Sequence, residues 1–175
     1  QLMELVNDIL DYSKMVSGQV VLNNHVFNMK KCVDGVIDII YQRFEEKRVE
    51  FRLDIVTPLP EKINGDSRRI KQVLFNLLTN ALKFTDSGYV KLTVDHELAD
   101  SKELVYGVER KFTFTVEDTG VGIKKEDREK IFEVFTKIND DDKFYTNTTP
   151  GAGIGLSICK YIVESMRGGI KVDES

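Results

Sequence analysis

The chain has 175 residues, enough for one domain with an appendage, and its 41% hydrophobic and 31% charged residues can build a core. With 25 basic residues against 29 acidic ones the net charge is −4, which argues against broad binding to nucleic acid or to an anionic membrane surface. Cys32 and Cys159 lie far apart without CxxC or metal-ligand spacing, which excludes a disulfide framework and favours a reducing, cytoplasmic compartment.

No apolar run approaches the length that spans a bilayer, and no signal peptide is visible. The chain begins at Gln1 inside a helical pattern and stops at IKVDES, as expected of a piece of a longer protein. Any membrane anchor would belong to a segment outside it.

Residues 1–17 carry Leu2, Leu5, Val6, Ile9, Leu10 and Val16 on one helical stripe, extended by Tyr12 and closed at Gly18. This is either a core helix or an arm reaching out to a partner chain, and the sequence leaves both open. VVLNNHVF (20–27) alternates weakly, as a short strand would. A second helix is predicted from Asn28 through Cys32, Val33, Val36, Ile37, Ile40, Tyr41 and Phe44, closing in a charged EEKR turn. VEFRLDIV (49–56) alternates with period two and predicts a half-buried strand. TPLPEKINGD (57–66) is punctuated like a loop, with Asp66 or Ser67 placed to cap the next helix.

That helix is predicted over 68–85. Strands follow over 88–98 and 103–118, then a short helix over 124–135. Residues 136–152, rich in Asp, Thr and Asn, carry no regular pattern; a stretch of that length is either disordered or functional. A last helix is predicted over 154–166, and GGIKV opens one more strand. Helices and strands mix in unequal blocks, which predicts a layered α/β (α+β) domain.

Three places depart from what packing alone would choose. Asn76, Asn80 and Lys83 stand at i, i+4, i+7 beside the apolar face of the 68–85 helix. An amide oxygen there suits Mg²⁺ in company with waters and phosphate oxygens, and a lysine suits phosphate charge. An isolated NxxxN is more simply a pair of surface amides. EDTGVGI (117–123) sets a carboxylate at a strand end, where Asp118 could accept from an exocyclic amine while Gly120 and Gly122 let a flat ligand approach. Alone, DTG is also good turn chemistry. GAGIGLSICK (151–160) opens a helix with glycines, an arrangement that can present backbone N–H groups to phosphate or serve as a hinge.

In this order the three resemble the ATP-binding catalytic domain of sensor histidine kinases, within the wider ATPase family shared with gyrase, Hsp90 and MutL. NLLTNALKFT (76–85) resembles the family's N box, DTGVGI its first glycine box, IFEVF (131–135) its F box and GAGIGL its second glycine box. GDSRRIKQVL (65–74) matches the approach to the N box, and LVNDILDYSKMVSGQVVLN (5–23) resembles the end of the dimerisation and phosphotransfer region. The resemblance implies a two-layer sandwich, a mixed sheet against helices, with ATP beneath a lid over 136–152. It divides the chain into the end of a dimerisation helix (1–18) and a catalytic domain (19–175).

Carried over position by position, it implies that Asn80 coordinates Mg²⁺, that Asn76 assists at the phosphate end, and that Lys83 reaches phosphates. Phe84 would wall the nucleotide, and Asp118 would bind the adenine amine in a pocket shaped by Gly120, Gly122 and Ile123. Lys137, where the family often has arginine, would touch phosphate. Gly151, Gly153, Gly155 and Leu156 would line the return of the lid. The implied activity is transfer of the ATP γ-phosphate to a histidine outside this chain, for relay to the aspartate of a response-regulator receiver domain, in a homodimeric parent.

The family's phosphoacceptor, a histidine followed by an acidic residue, does not occur in its expected setting. His25 precedes VFN, and His96 precedes ELAD without the family's proline, so both are expected to be ordinary histidines and the chain not to phosphorylate itself. Pro150 stands where many relatives have glycine, and Asp140, Asp141 and Asp142 make the lid acidic. A non-catalytic nucleotide-binding module is the alternative from another class. An ATP-hydrolysing clamp is disfavoured, because those enzymes carry glutamate where this chain has Asn76.

Overall fold

The computed structural model describes residues 13, 21–98, 109–134 and 153–173. The stripe expected over 1–17 falls outside these except for Ser13, which is helical and exposed; the lid stretch 136–152 falls outside them as well. The chain divides into two compact units, one from 24–67 and 77–122, the other from 1–23, 68–76 and 123–175.

The first unit opens with β1 (His25–Phe27) and α1 (Met29–Lys47). Asn28 starts the helix as the sequence predicts: its backbone is extended, and its side chain accepts the Lys31 N–H at 2.9 Å, satisfying one of the donors every helix leaves open. Met29, Cys32, Val33, Val36, Ile40 and Phe44 form the buried stripe, each at most 3% exposed. The helix takes in the EEK of the expected turn and stops at Arg48, whose φ of 59° is left-handed.

Next come β2 (Glu50–Ile55) and β3 (Ile63–Gly65). β3 pairs antiparallel with β1, His25 opposite Gly65, inside a segment the sequence presents as loop. Three residues ending in glycine show no alternation, and their partner strand is remote in sequence.

α2 runs from Ser67 to Phe84, and β4 (Tyr89–Leu98) and β5 (Arg110–Asp118) follow it. β4 is central in a mixed sheet, parallel to β2 and antiparallel to β5. Val90, Leu92 and Val94 are fully buried on one face, as the alternation of β4 requires. The helices supply the second layer of this core with the α1 stripe and with Leu78, Ala81 and Leu82 of α2, and the Phe44 ring meets Phe51 of β2 at 5.1 Å. Each fully buried Val, Leu, Ile, Phe or Met among them contributes about 1.5–3 kcal/mol. The other sheet face is polar: Arg52 pairs with Glu50 at 2.7 Å and lies 3.9 Å over the Tyr89 ring, while Lys91 pairs with Asp54 at 3.1 Å. Arg52 holds the Glu50 carboxyl below its ordinary range, chiefly by that hydrogen bond.

The second unit centres on α3 (Gly155–Ser165). Ile154, Ile158 and Ile162, at most 2% exposed, pack with Val73, Val134 and Met166, and Cys159 beside them is completely buried. The short helix predicted over 124–135 is instead two single 3₁₀ turns, Lys125–Asp127 and Lys130–Phe132. KKEDRE offers no apolar residue before Ile131, so no stripe spans two turns and a helix this short has nothing to hold it. GGIKV, expected to open a strand, pairs with no strand among the described residues.

Candidate functional site

α2 is one unbroken helix, and Asn76, Asn80 and Lys83 stand along it as the sequence predicts, each half-buried. Lys83 lies 4.9 Å over the ring of Phe84, the last helical residue and 38% exposed. Thr85 then leaves the helix completely buried, its hydroxyl donating to Ala81 O at 2.8 Å.

In the same unit β5 ends at Asp118, and the Gly120 N–H donates to Asp118 Oδ1 at 2.9 Å. The carboxylate is exposed, with one oxygen engaged by its own turn. A Cβ on Gly120 would lie 2.3 Å from Phe84 O, 2.9 Å from Phe84 C and 2.8 Å from Asp118 Oδ1. Glycine is therefore what lets the Asp118 turn meet the end of α2. This contact brings together Lys83, Phe84, Asp118 and Gly120. Gly122, with φ of 72°, is exposed two residues on.

Thr119 fixes the turn from the other side. Its Oγ1 accepts the Tyr89 N–H at 3.0 Å and lies 3.2 Å from the carbonyls of Ser87 and Tyr89, and its own N–H donates to Tyr89 O at 3.1 Å. Neither periodicity nor motif spacing singles out this residue, although it stands inside DTG and a threonine there has a hydroxyl to spend.

In the second unit the Asn76 amide donates to Gly155 O over a long 3.5 Å, which ties α2 to the first turn of α3. Gly153 and Leu156 are half-buried at that helix start, and Ile123 is exposed. Lys137 and Gly151 lie outside the described residues. Among those described, no group of three His, Cys, Asp or Glu side chains could hold a metal, and no helix is long and apolar enough to cross a membrane. Both histidine rings are engaged: His25 Nε2 meets Ser67 Oγ at 3.0 Å, and His96 meets Pro58 O at 3.0 Å and the Arg110 guanidinium at 3.2 Å.

Residues 65–175, which include all four boxes, match the family described as histidine kinase-, DNA gyrase B-, and HSP90-like ATPase. The chain belongs to this family. It is 37% identical over 98% of its length to hybrid signal transduction histidine kinase K of Dictyostelium discoideum, and it covers 14% of that protein. It is 33% identical over 98% of its length to the peroxide stress-activated histidine kinase mak2 of Schizosaccharomyces pombe, covering 7% of it. It is 29% identical over 97% to the histidine-protein kinase BarA of Escherichia coli, covering 17%. The chain thus spans a small fraction of each relative. Its fold matches the crystal structure of full-length ShkA in complex with AMPPNP with a TM-score of 0.78 and 28% identity, over 99% of this chain and 33% of that one. The nucleotide-free catalytic domain of histidine kinase ThkA matches with a TM-score of 0.60 and 28% identity, over 82% of this chain and 83% of that one. The family and the mixed sheet with helices expected from the four motifs are those found.

Proposed function

We propose that this ATPase-family chain is the ATP-binding catalytic module of a histidine kinase of the hybrid type. It would present the γ-phosphate of ATP to a histidine outside this chain, for relay to the aspartate of a receiver domain. The parent protein is proposed to act as a homodimer, with this module in the cytoplasm. The observation that supports this most is the Gly120–Phe84 contact, which sets the turn bearing Asp118 against the end of the helix bearing Asn80 and Lys83.

Asp118, with one oxygen committed to Gly120, offers the other to the exocyclic amine of adenine. Gly120 and Gly122 keep side chains away from the ring, and Phe84 walls it. Lys83 supplies positive charge to the phosphates. Asn80 fits Mg²⁺ as a carboxamide donor, a hard neutral ligand of the kind that the ion accepts alongside waters and phosphate oxygens, so the ion would be held together with the nucleotide. When bound, Mg²⁺ neutralises charge on the phosphate oxygens. Asn76, Ile123, Lys137, Gly151, Gly153, Gly155 and Leu156 are proposed to keep the nucleotide roles that the resemblance implies for them. Phosphoryl transfer asks mainly for positioning and charge neutralisation, and these residues offer both.

Calorimetric titration of ATP with and without Mg²⁺, on wild type, Asp118→Asn and Asn80→Ala, tests the assignment. Asp118→Asn is expected to weaken ATP binding at least tenfold, the cost of about 1.4 kcal/mol, with or without the ion. Asn80→Ala is expected to remove only the gain that Mg²⁺ brings. Binding indifferent to both substitutions would refute it.

A further inference from the structure

The end of α2 is held by a residue that none of the four boxes contains. Lys47, the last residue of α1, donates from Nζ to the carbonyls of Leu82 at 2.9 Å and Lys83 at 3.0 Å, and it pairs with Asp86 at 3.3 Å. A helix leaves its last four carbonyls without partners inside it, and partial negative charge collects there. An ammonium bonded to two of them answers both needs. Lys47 is 33% exposed and Asp86 94%, so the two carbonyl bonds, more than the ion pair, fix the lysine.

One residue past those carbonyls stands Phe84. Phe84 O, the next along the chain, is the atom the Gly120 backbone rests against, and the Gly120 N–H holds Asp118 Oδ1. An unbroken series of contacts thus runs from Lys47 through the last turn of α2 to the Asp118 carboxylate, all within one compact unit.

We propose that Lys47 is a positioning residue of the nucleotide site, fixing the last turn of α2 so that Lys83, Phe84 and Asp118 stay in mutual register. This rests on the proposed assignment of that site to ATP. If Lys47 only stabilised the fold, its removal would act independently of the side chains it is said to place.

ATP affinity is measured by calorimetry in the 175-residue chain for wild type, Lys47→Met, Lys47→Arg, Lys83→Met and the Lys47→Met/Lys83→Met double variant, below the onset of unfolding of each. Lys47→Met is expected to weaken ATP binding about three- to tenfold, the scale of one or two lost hydrogen bonds, and Lys47→Arg to recover most of it. Lys83→Met is expected to cost less in the Lys47→Met background than in wild type, because a misplaced lysine has less to lose. Asp86→Asn is expected to leave affinity unchanged. Wild-type affinity in Lys47→Met, or strictly additive losses, would overturn the proposal while the nucleotide assignment stands. A wild-type chain that binds no ATP would overturn that assignment and this proposal with it. Should Lys47→Met fail to fold, Lys47→Gln, which keeps a donor without the charge, carries the same coupling measurement.

Discussion

Gly120→Ala puts the smallest side chain into the close approach between the Asp118 turn and the end of α2. Its Cβ would stand 2.3 Å from Phe84 O, about 1 Å short of ordinary contact, and the Phe84 atoms it meets are backbone rather than a flexible tip. Either the turn or the end of α2 must retreat, and forced packing of this kind costs about 1–3 kcal/mol. The retreat moves Asp118, whose Oδ1 would itself lie 2.8 Å from the new atom. ATP affinity is therefore expected to fall about 10- to 100-fold, since every 1.4 kcal/mol is tenfold. Gly122→Ala is the comparison for stability: no protein atom lies within 4 Å of its Cβ, and in the nucleotide-free chain only its φ of 72° opposes the substitution, at about 1–2 kcal/mol. Urea unfolding and calorimetric ATP titration, run on both variants, separate stability from binding. Gly120→Ala with wild-type affinity would refute the reasoning.

Two further outcomes need no nucleotide. Arg48, with φ of 59°, is a non-glycine residue in the left-handed region just after α1, so Arg48→Gly is expected to stabilise the chain by about 0.5–1 kcal/mol and raise Tm by roughly 1–4 °C by calorimetry. Asp95 accepts the Thr57 hydroxyl at 2.6 Å and the His96 N–H at 2.8 Å, and these bonds, that of Thr57 foremost, hold its carboxyl below the ordinary range. A depressed folded value contributes stability that is present above the unfolded pKa of about 3.9 and is lost as pH falls through the folded value. Asp95→Asn is thus expected to be less stable than wild type at neutral pH, with the gap closing below about pH 4 in denaturant melts; a gap independent of pH would refute it.

The fold is legible wherever a face repeats. The stripe from Cys32 to Phe44, opening at Asn28, announces α1, and the run of β-favouring residues through Val90, Leu92 and Val94 announces β4. Legibility fails where the stabilising partner is distant or absent from the pattern. β3 exists because β1 runs beside it, and INGD carries no sign of that. The 124–135 segment looks helical by its charges and length, but without apolar residues on its first turns it settles into 3₁₀ turns. The boxes point to Asn80, Lys83 and Asp118 because amides, glycines and a strand-end carboxylate at those spacings are poor choices for packing. Thr119 and Lys47 escape notice because a threonine in a turn and a lysine ending a helix are ordinary choices. What distinguishes them is the atoms they reach, in segments far along the chain.

The two sulfurs have a practical use beyond packing. Cys32 is 3% exposed in one compact unit and Cys159 is completely buried in the other. An alkylating reagent therefore finds either thiol only after the surrounding structure has opened. Mass spectrometry of timed quenches, resolving which cysteine is capped first, would clock the loosening of each unit separately in the unaltered chain, with no introduced label.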